Sequence, residues 1–412
     1  MTGTERQLEK IRALVAEING SVNRFYQGLL GAVDTSSLPR FVSTCPHTDK
    51  SMLAADRIKN APWGSNLTYP LRDYSRFVQT SGTSGPPMAW LDTKESWEAM
   101  LDCWRVVYDK AGVRPGEDRA LFAFSFGPFL GFWTAFEAAA QMGLMAIPSG
   151  GMSSAARLEA AVRYGVTVLC CTPTYALRLG EIRATLPPDQ QPSEIRLIIV
   201  AGEPGGSIPS TRQRLEQLWP GARIFDHHGL TEVGPVSYED PEQAGRLCII
   251  EDAYFAEIVD PESGEEVSIG EKGELILTTL NRSGCPLLRY RTGDLVQKGR
   301  GSDGVLALEG GILGRVDDMV VVRGVNLYPG AVEGIIRGFV EVIEYQVVER
   351  TRDHMAEVSL RLEIESAADS AAIVARVETA LKNAFGLRIP VTVAAGRLPR
   401  FEFKARRWIK DA

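Results

Sequence analysis

The sequence predicts an α/β protein: a large N-terminal domain of parallel sheets flanked by helices and carrying a small β unit, followed by a small α+β domain. Three observations predict it. Between residues 94 and 225, short apolar runs alternate with helically spaced ones, the pattern of parallel strands covered by helices. From about 250 to 310, short strands and turns follow one another, as in Ala256–Val259, Gly273–Thr278 and Gly304–Leu308, which reads as a mostly antiparallel β unit. Beyond a polar break at 314–318 the chain starts again with strand, helix, two strands, helix and strand, a stretch long enough to fold alone. The predicted domains are therefore 1–313 and 319–412, joined by 314–318.

The elements follow in order. Leu8, Ile11, Leu14, Val15, Ile18, Val22, Phe25 and Leu29 have helical spacing and predict one helix over 5–33. Residues 34–75, rich in Pro, Ser and Asp, read as irregular. Arg76–Gln79 reads as a strand. Helices are expected at 94–112, 131–142, 153–164, 174–186 and 208–218. Strands are expected at 121–124, 144–147, 166–171, 195–200 and 222–225. In the last unit the expected strands are 319–323, 342–349, 356–363 and 391–394, with helices at 331–338 and 368–385. In such parallel sheets ligands sit beyond the carboxyl ends of the strands. Three suggestive loops fall there: the stretch after Phe124, Gly202–Gly206, and His227–Glu232.

The 412 residues are 44% apolar and 24% charged, an ordinary globular composition, and the formal net charge of −7 argues against a nucleic-acid footprint. No apolar run approaches the roughly 18–20 residues of a membrane span. Met1–Arg6 lacks the start of a signal peptide. Six cysteines in so long a chain make no disulfide framework, and the adjacent Cys170 and Cys171 lie in an apolar strand. The expected compartment is the cytoplasm.

The chemistry is concentrated in Thr80–Pro87, where Ser81, Gly82, Thr83, Ser84 and Gly85 follow Thr80. Glycines let the backbone turn tightly and approach a ligand, and successive N–H groups with added hydroxyls form an anion site suited to a polyphosphate. No Gly-Lys-Ser/Thr follows, so this is not a Walker loop. Four more segments follow in fixed order: Gly202-Glu203, Gly229-Leu230-Thr231-Glu232, Tyr290-Arg291-Thr292-Gly293-Asp294 and Gly314-Arg315-Val316-Asp317-Asp318, with Pro399–Lys404 closing the chain. Together these segments resemble the adenylate-forming superfamily of acyl-CoA synthetases, adenylation domains and luciferases. Arg323–Pro329 and the compact length resemble its phenylacetate–CoA ligase branch.

The resemblance implies ATP, Mg²⁺ and CoA, with an acid converted first to an acyl-adenylate and then to a thioester. It implies that Ser81–Gly85 hold the triphosphate, that Glu232 holds Mg²⁺ and that Asp294 binds the ribose. Gly202 and Glu203 line the adenine slot, and His228 stands where most members have a stacking tyrosine. Asp226, His227, Gly229 and Thr231 fall on the nucleotide side. Lys404 matches the catalytic lysine, Arg315 an arginine near phosphate and ribose, and Asp317 the hinge about which a mobile C-terminal domain swings. One departure stands out: the usual basic residue after the phosphate loop is absent, and Pro87-Met88 occupies its place.

Blander readings exist. Glu232 could be a surface carboxylate, Lys404 part of a basic tail and Asp317 a turn cap. His227 and His228 point different ways, which argues against a metal pair. Asp240, Cys248 and Cys285 could approach one another around zinc, but no Cys-x-x-Cys spacing supports it. The aromatic run 122–133 corresponds to the branch's acyl-pocket wall. Phe124, Phe126, Phe129 and Gly131 would contact the acid, with Ala201, Gly202, His228 and Gly229. Flat walls suit a planar ring, so the expected substrate is a small aryl acid of benzoate, hydroxybenzoate, aminobenzoate or phenylacetate type. Alternatives are a carrier-protein thiol or an amine as acceptor, and a catalytically silent nucleotide-binding homologue. Family analogy allows a homodimer.

Overall fold

The computed structural model describes residues 3–80, 87–316, 320–322, 325–352, 355–365, 369–401 and 406–411. Its centre is a five-stranded, wholly parallel sheet in the order Met145–Pro148, Arg119–Phe122, Val168–Cys171, Leu197–Val200, Arg223–Asp226. In chain order that is 2-1-3-4-5, so the winding direction reverses between Arg119–Phe122 and Val168–Cys171, and the crevice beyond the carboxyl ends opens there. Val168–Cys171 and Leu197–Val200 are buried at every position, as strands covered on both faces must be. The covering helices start at side-chain caps. Thr93, Ser153 and Thr172 each accept the backbone N–H of the residue three further on. Helix Lys94–Ala111 ends at Gly112, whose φ of +71° suits glycine.

A six-stranded antiparallel sheet follows, ordered Ser237–Glu239, Arg246–Ile249, Leu306–Arg315, Tyr290–Arg300, Lys272–Thr279, Tyr254–Val259. It starts about a dozen residues earlier than the sequence suggests and runs into the polar break, because its last strand reaches Arg315. From Val320 on, a separate core forms around Leu327, Val332, Tyr345, Leu360 and Val377. Its sheet order is Val391–Val393, Met355–Ile364, Val342–Arg352, Trp408–Asp411, with both edge strands parallel to their neighbours. The four-residue strand Trp408–Asp411 carries Lys410 and Asp411 and reads as a tail in sequence; pairing with Val347–Arg350 makes it a strand.

Two N-terminal expectations need correction. The helix over 5–33 breaks after Asn19, because Ser21 bonds back to the Ile18 carbonyl and Asn23 caps a new short helix, Arg24–Gln27. Ile11, Leu14, Val15 and Ile18 do form the buried face, packed with Phe41, Leu280 and Leu288. Residues 34–75 are not irregular: Ser37 and Asp49 cap helices Leu38–Thr44 and Lys50–Lys59. Elements of two or three turns show too little periodicity to be read from sequence. Thr48 pairs with the strand Tyr290–Arg300 through the Arg289 carbonyl and Arg291 N–H. This carries Lys50 to the edge of the crevice. Among the described residues no helix is long and apolar enough to cross a membrane.

Candidate active site

All three loops picked out in the sequence leave the carboxyl edge of the parallel sheet. The first forms an aromatic wall. Phe124 lies 4.3 Å from Phe126 and 5.5 Å from Phe132 (ring centroids), and Phe126 packs edge-on against Trp133 and Phe136. Gly131 has φ +41°, and a Cβ there would sit 3.3 Å from the Phe124 ring, so the wall requires glycine at this point. Phe129 does not join the wall; its ring is exposed. Phe132, part of the aromatic run but not named among the residues expected to contact the acid, joins the wall instead.

In the second loop Ala201 is buried and Gly202 turns at φ +94°. Glu203 accepts the Thr174 N–H at 2.8 Å, which fastens the loop to the N-terminus of helix Pro173–Thr185. Asp226 is not available as a nucleotide ligand. A Cβ on Gly206 would lie 2.5 Å from its carboxyl, Ser207 Oγ donates to Oδ2, and the His227 N–H donates to Oδ1 at 3.0 Å. Burial pushes the Asp226 pKa up to about 6.

The two histidines diverge. His227 packs against Trp104 with ring centroids 4.4 Å apart and planes tilted by 53°, and its Nδ1 meets the Ser237 carbonyl at 2.5 Å, so it leaves the nucleotide side. His228 turns the other way, with Nε2 3.1 Å from Asp294 Oδ2. Its Nδ1 is buried with no hydrogen-bond partner among the described residues. Arg315 Nη1 reaches Asp294 Oδ1 at 3.2 Å and the Thr292 carbonyl at 3.0 Å, and Thr292 Oγ1 accepts the Asp294 N–H. Gly293, at φ +75°, makes room, since a Cβ there would lie 2.5 Å from the Arg315 guanidinium. His228, Asp294 and Arg315 thus form one constellation.

Gly229-Leu230 pairs with Gly234-Pro235 in a tight hairpin, and the Thr231 and Glu232 carbonyls both accept from Arg282 Nη1 at 2.9 Å. Arg282 is itself forked onto buried Asp92 at 2.6 and 2.7 Å. Glu232 is buried, with Lys50 Nζ 3.4 Å from Oε1. One hard carboxylate and no cluster of three metal-ligating side chains among the described residues suits Mg²⁺ held jointly with phosphate oxygens, not a protein cage. Ser81–Gly85, Asp317 and Lys404 lie outside the described residues. The ends of the phosphate loop are pinned together: Thr80 N–H donates to the Met88 carbonyl and Met88 N–H to Thr80 Oγ1. The Met88 side chain points into the core.

Asp240, Cys248 and Cys285 are not gathered into one ligand set among the described residues. Asp240 is occupied by Ser302 and Arg246, while Cys285 sits with Asp92 and Arg282 in another part of the fold. Lys50, Asp92, Trp104 and Arg282 are site residues the sequence reading missed. For Asp92 a signal existed, a charge inside the apolar strand Ala89–Thr93. Lys50 and Arg282 left none.

His227 makes a pH prediction. Burial pushes its pKa down to about 4 from the ordinary 6.5. Between pH 6.5 and 4 the unfolded chain takes up a proton there that the folded chain refuses, so this stability is lost as pH falls. Asp226 opposes it, since its raised folded pKa adds stability as pH falls through about 6. The stability of wild type minus that of His227→Phe should therefore shrink by about 3 kcal/mol between pH 7 and pH 4. Denaturant titrations of both proteins at the two pH values read it; a constant difference would contradict the assignment.

Comparison with known proteins decides the family. Residues 65–281 match the AMP-binding enzyme family, and residues 324–411 match the AMP-binding enzyme C-terminal domain. The chain belongs to the AMP-binding enzymes. A phenylacetate–coenzyme A ligase of Thermus thermophilus is 30% identical over 372 residues, covering 87% of this chain and 80% of that protein. This AMP-binding enzyme also shares its fold with 2-hydroxyisobutyryl-CoA ligase. In the postadenylation state with 2-HIB-AMP the TM-score is 0.91 at 23% identity, covering 99% of this chain and 89% of that one. In the thioesterification state with 2-HIB-AMP and CoA it is 0.72 at 24% identity, with the same coverage of both chains. Within the AMP-binding enzymes the chain falls in the phenylacetate–CoA ligase-like branch.

Proposed function

We propose that this AMP-forming acid–CoA ligase activates a small aryl carboxylic acid. The observation that carries the substrate class is the aromatic wall of Phe124, Phe126 and Phe132, which stands at the switch point of the sheet beside Ala201 and Gly202. A planar ring stacks there with its carboxylate toward the His228–Asp294–Arg315 constellation.

The acid's carboxylate oxygen attacks the α-phosphorus of ATP, and pyrophosphate leaves. The CoA thiol then attacks the acyl carbonyl, loses its proton, and AMP departs. Asp294 accepts the ribose hydroxyls, and the orphaned His228 Nδ1 supports a polar ligand beside that imidazole. Arg315 sets a positive charge against the phosphate. Ser81–Gly85 cradle the triphosphate. Glu232 would hold Mg²⁺, which, when bound, offsets phosphate charge. Lys404 would offset the charge shifting toward pyrophosphate, carried on a C-terminal domain (319–412) that turns about Asp317 relative to 1–313.

Pyrophosphate release over a panel of aryl and alkyl acids, with Mg·ATP and with or without CoA, tests this reading. One aryl acid should drive release and give an aryl-CoA. Release with hexanoate but with no aryl acid would end the aryl assignment. Release that leaves CoA unconsumed moves the acceptor to a carrier-protein thiol or an amine. Lys404→Ala should suppress adenylation by about two orders of magnitude or more; undiminished release from a folded variant removes that role.

A further inference from the structure

The aryl reading leaves the ring substituents open, and one buried side chain bears on them. We propose that His227 is a specificity-determining residue that accepts a hydrogen bond from a hydroxyl or amino group on the ring of the acid. This inference rests on the aryl-acid reading above.

A carbonyl oxygen only accepts, so the 2.5 Å contact with Ser237 O places the imidazole proton on Nδ1. Burial keeps the ring neutral. Nε2 is then a lone-pair acceptor and nothing else. No hydrogen bond to it is found among the described residues, while His227 as a whole is only 5% exposed. Unlike His228 Nδ1, it is not a sealed, unpartnered atom, so it is open to a donor that a ligand brings.

The location fits the substrate. His227 follows the strand Arg223–Asp226, and its N–H bonds the Val200 carbonyl, so it stands beside Ala201 at the carboxyl edge of the sheet. Its ring lies on Trp104, Trp104 lies 5.9 Å from Phe132, and Phe132 lies 5.5 Å from Phe124 (ring centroids). A chain of ring contacts therefore links the proposed acyl wall to His227 through the core, with Nε2 as the polar atom at its far end. Apolar surroundings with a few placed polar groups are how small-molecule sites fix orientation.

The donor must come from the ligand. A bare ring or a methoxy group cannot provide it, and a fluoro group of similar size cannot either. The test compares kcat/KM for pyrophosphate release with benzoates and phenylacetates carrying hydroxyl, amino, fluoro, methoxy or no group at each ring position. Wild type should prefer hydroxyl or amino over fluoro at one ring position by about 10- to 100-fold. His227→Phe should bring that ratio close to one, and His227→Gln, whose amide oxygen can accept, should restore part of it. Equal use of donor-bearing and donor-free aryl acids by wild type overturns the inference even if neither variant folds. So does an unchanged preference in a folded His227→Phe. Failure of every aryl acid alongside use of an alkyl acid identifies the substrate-class reading as the one at fault.

Discussion

Asp294→Ala is expected to lower kcat/KM for ATP in adenylation by about two to four orders of magnitude. The carboxylate is buried, and both oxygens are held: Oδ2 by His228 Nε2 at 3.1 Å and Oδ1 by Arg315 Nη1 at 3.2 Å. A carboxylate fixed in this way accepts two ribose hydroxyls without reorganising. Hydrogen bonds to a charged group contribute about 1.5–3 kcal/mol each, so losing both gives the stated range. Truncation also takes a carboxylate away from Arg315 and strands the His228 imidazole. Asp294→Asn keeps the shape and loses the charge, and should fall between alanine and wild type. Steady-state kinetics with ATP as the varied substrate, with thermal melts as the folding control, reads the effect. A loss smaller than threefold in a folded alanine variant would falsify the ribose role.

Arg282→Met is expected to cost about 3–5 kcal/mol of stability. The pair it breaks is almost wholly buried, at 3% side-chain exposure for Arg282 and 0% for Asp92, and the variant leaves the Asp92 carboxylate buried and uncompensated. Replacing both residues, as in Asp92→Leu with Arg282→Met, should recover most of that loss, because two apolar groups of similar size need no counter-charge. Activity should not follow stability. Arg282 Nη1 also holds the Thr231 and Glu232 carbonyls, so the double variant should refold yet adenylate poorly. Asp92 lies on the strand Ala89–Thr93 that pairs with Tyr74–Gln79, so this one guanidinium ties that hairpin to the Glu232 turn. Denaturant melts and ATP–pyrophosphate exchange on wild type, the single variant and the double variant separate the two effects. A double variant that recovers both stability and exchange would limit Arg282 to a structural role.

Much of the architecture was legible because it depends on local pattern. The alternation of apolar runs between 94 and 225 located every strand and helix of the parallel sheet to within about two residues, since burial on both faces leaves unbroken apolar strands such as Val168–Cys171. Glycine-rich loops were legible for a similar reason. At Gly131, Gly202 and Gly293 the backbone adopts positive φ, and the need for glycine is written at the position itself. The short helices Leu38–Thr44 and Lys50–Lys59 were not legible, because two or three turns held by a cap and by tertiary packing leave little period to read.

The sequence by itself determined the order of chemical segments, the α/β class and the residue types available to hold phosphate, ribose and a metal. Only the tertiary structure decided which of them meet. Asp294 finds His228 and Arg315; Asp226, adjacent in sequence to His227, is spent on Ser207; and Phe129 turns to solvent while Phe132 joins the wall. Arg282 and Asp92 come from segments 190 residues apart and leave no joint trace along the chain. The reason is physical. A side chain's partner is set by strand register and by the direction its Cβ leaves the backbone, and the two adjacent histidines, one on Trp104 and one on Asp294, differ in nothing else.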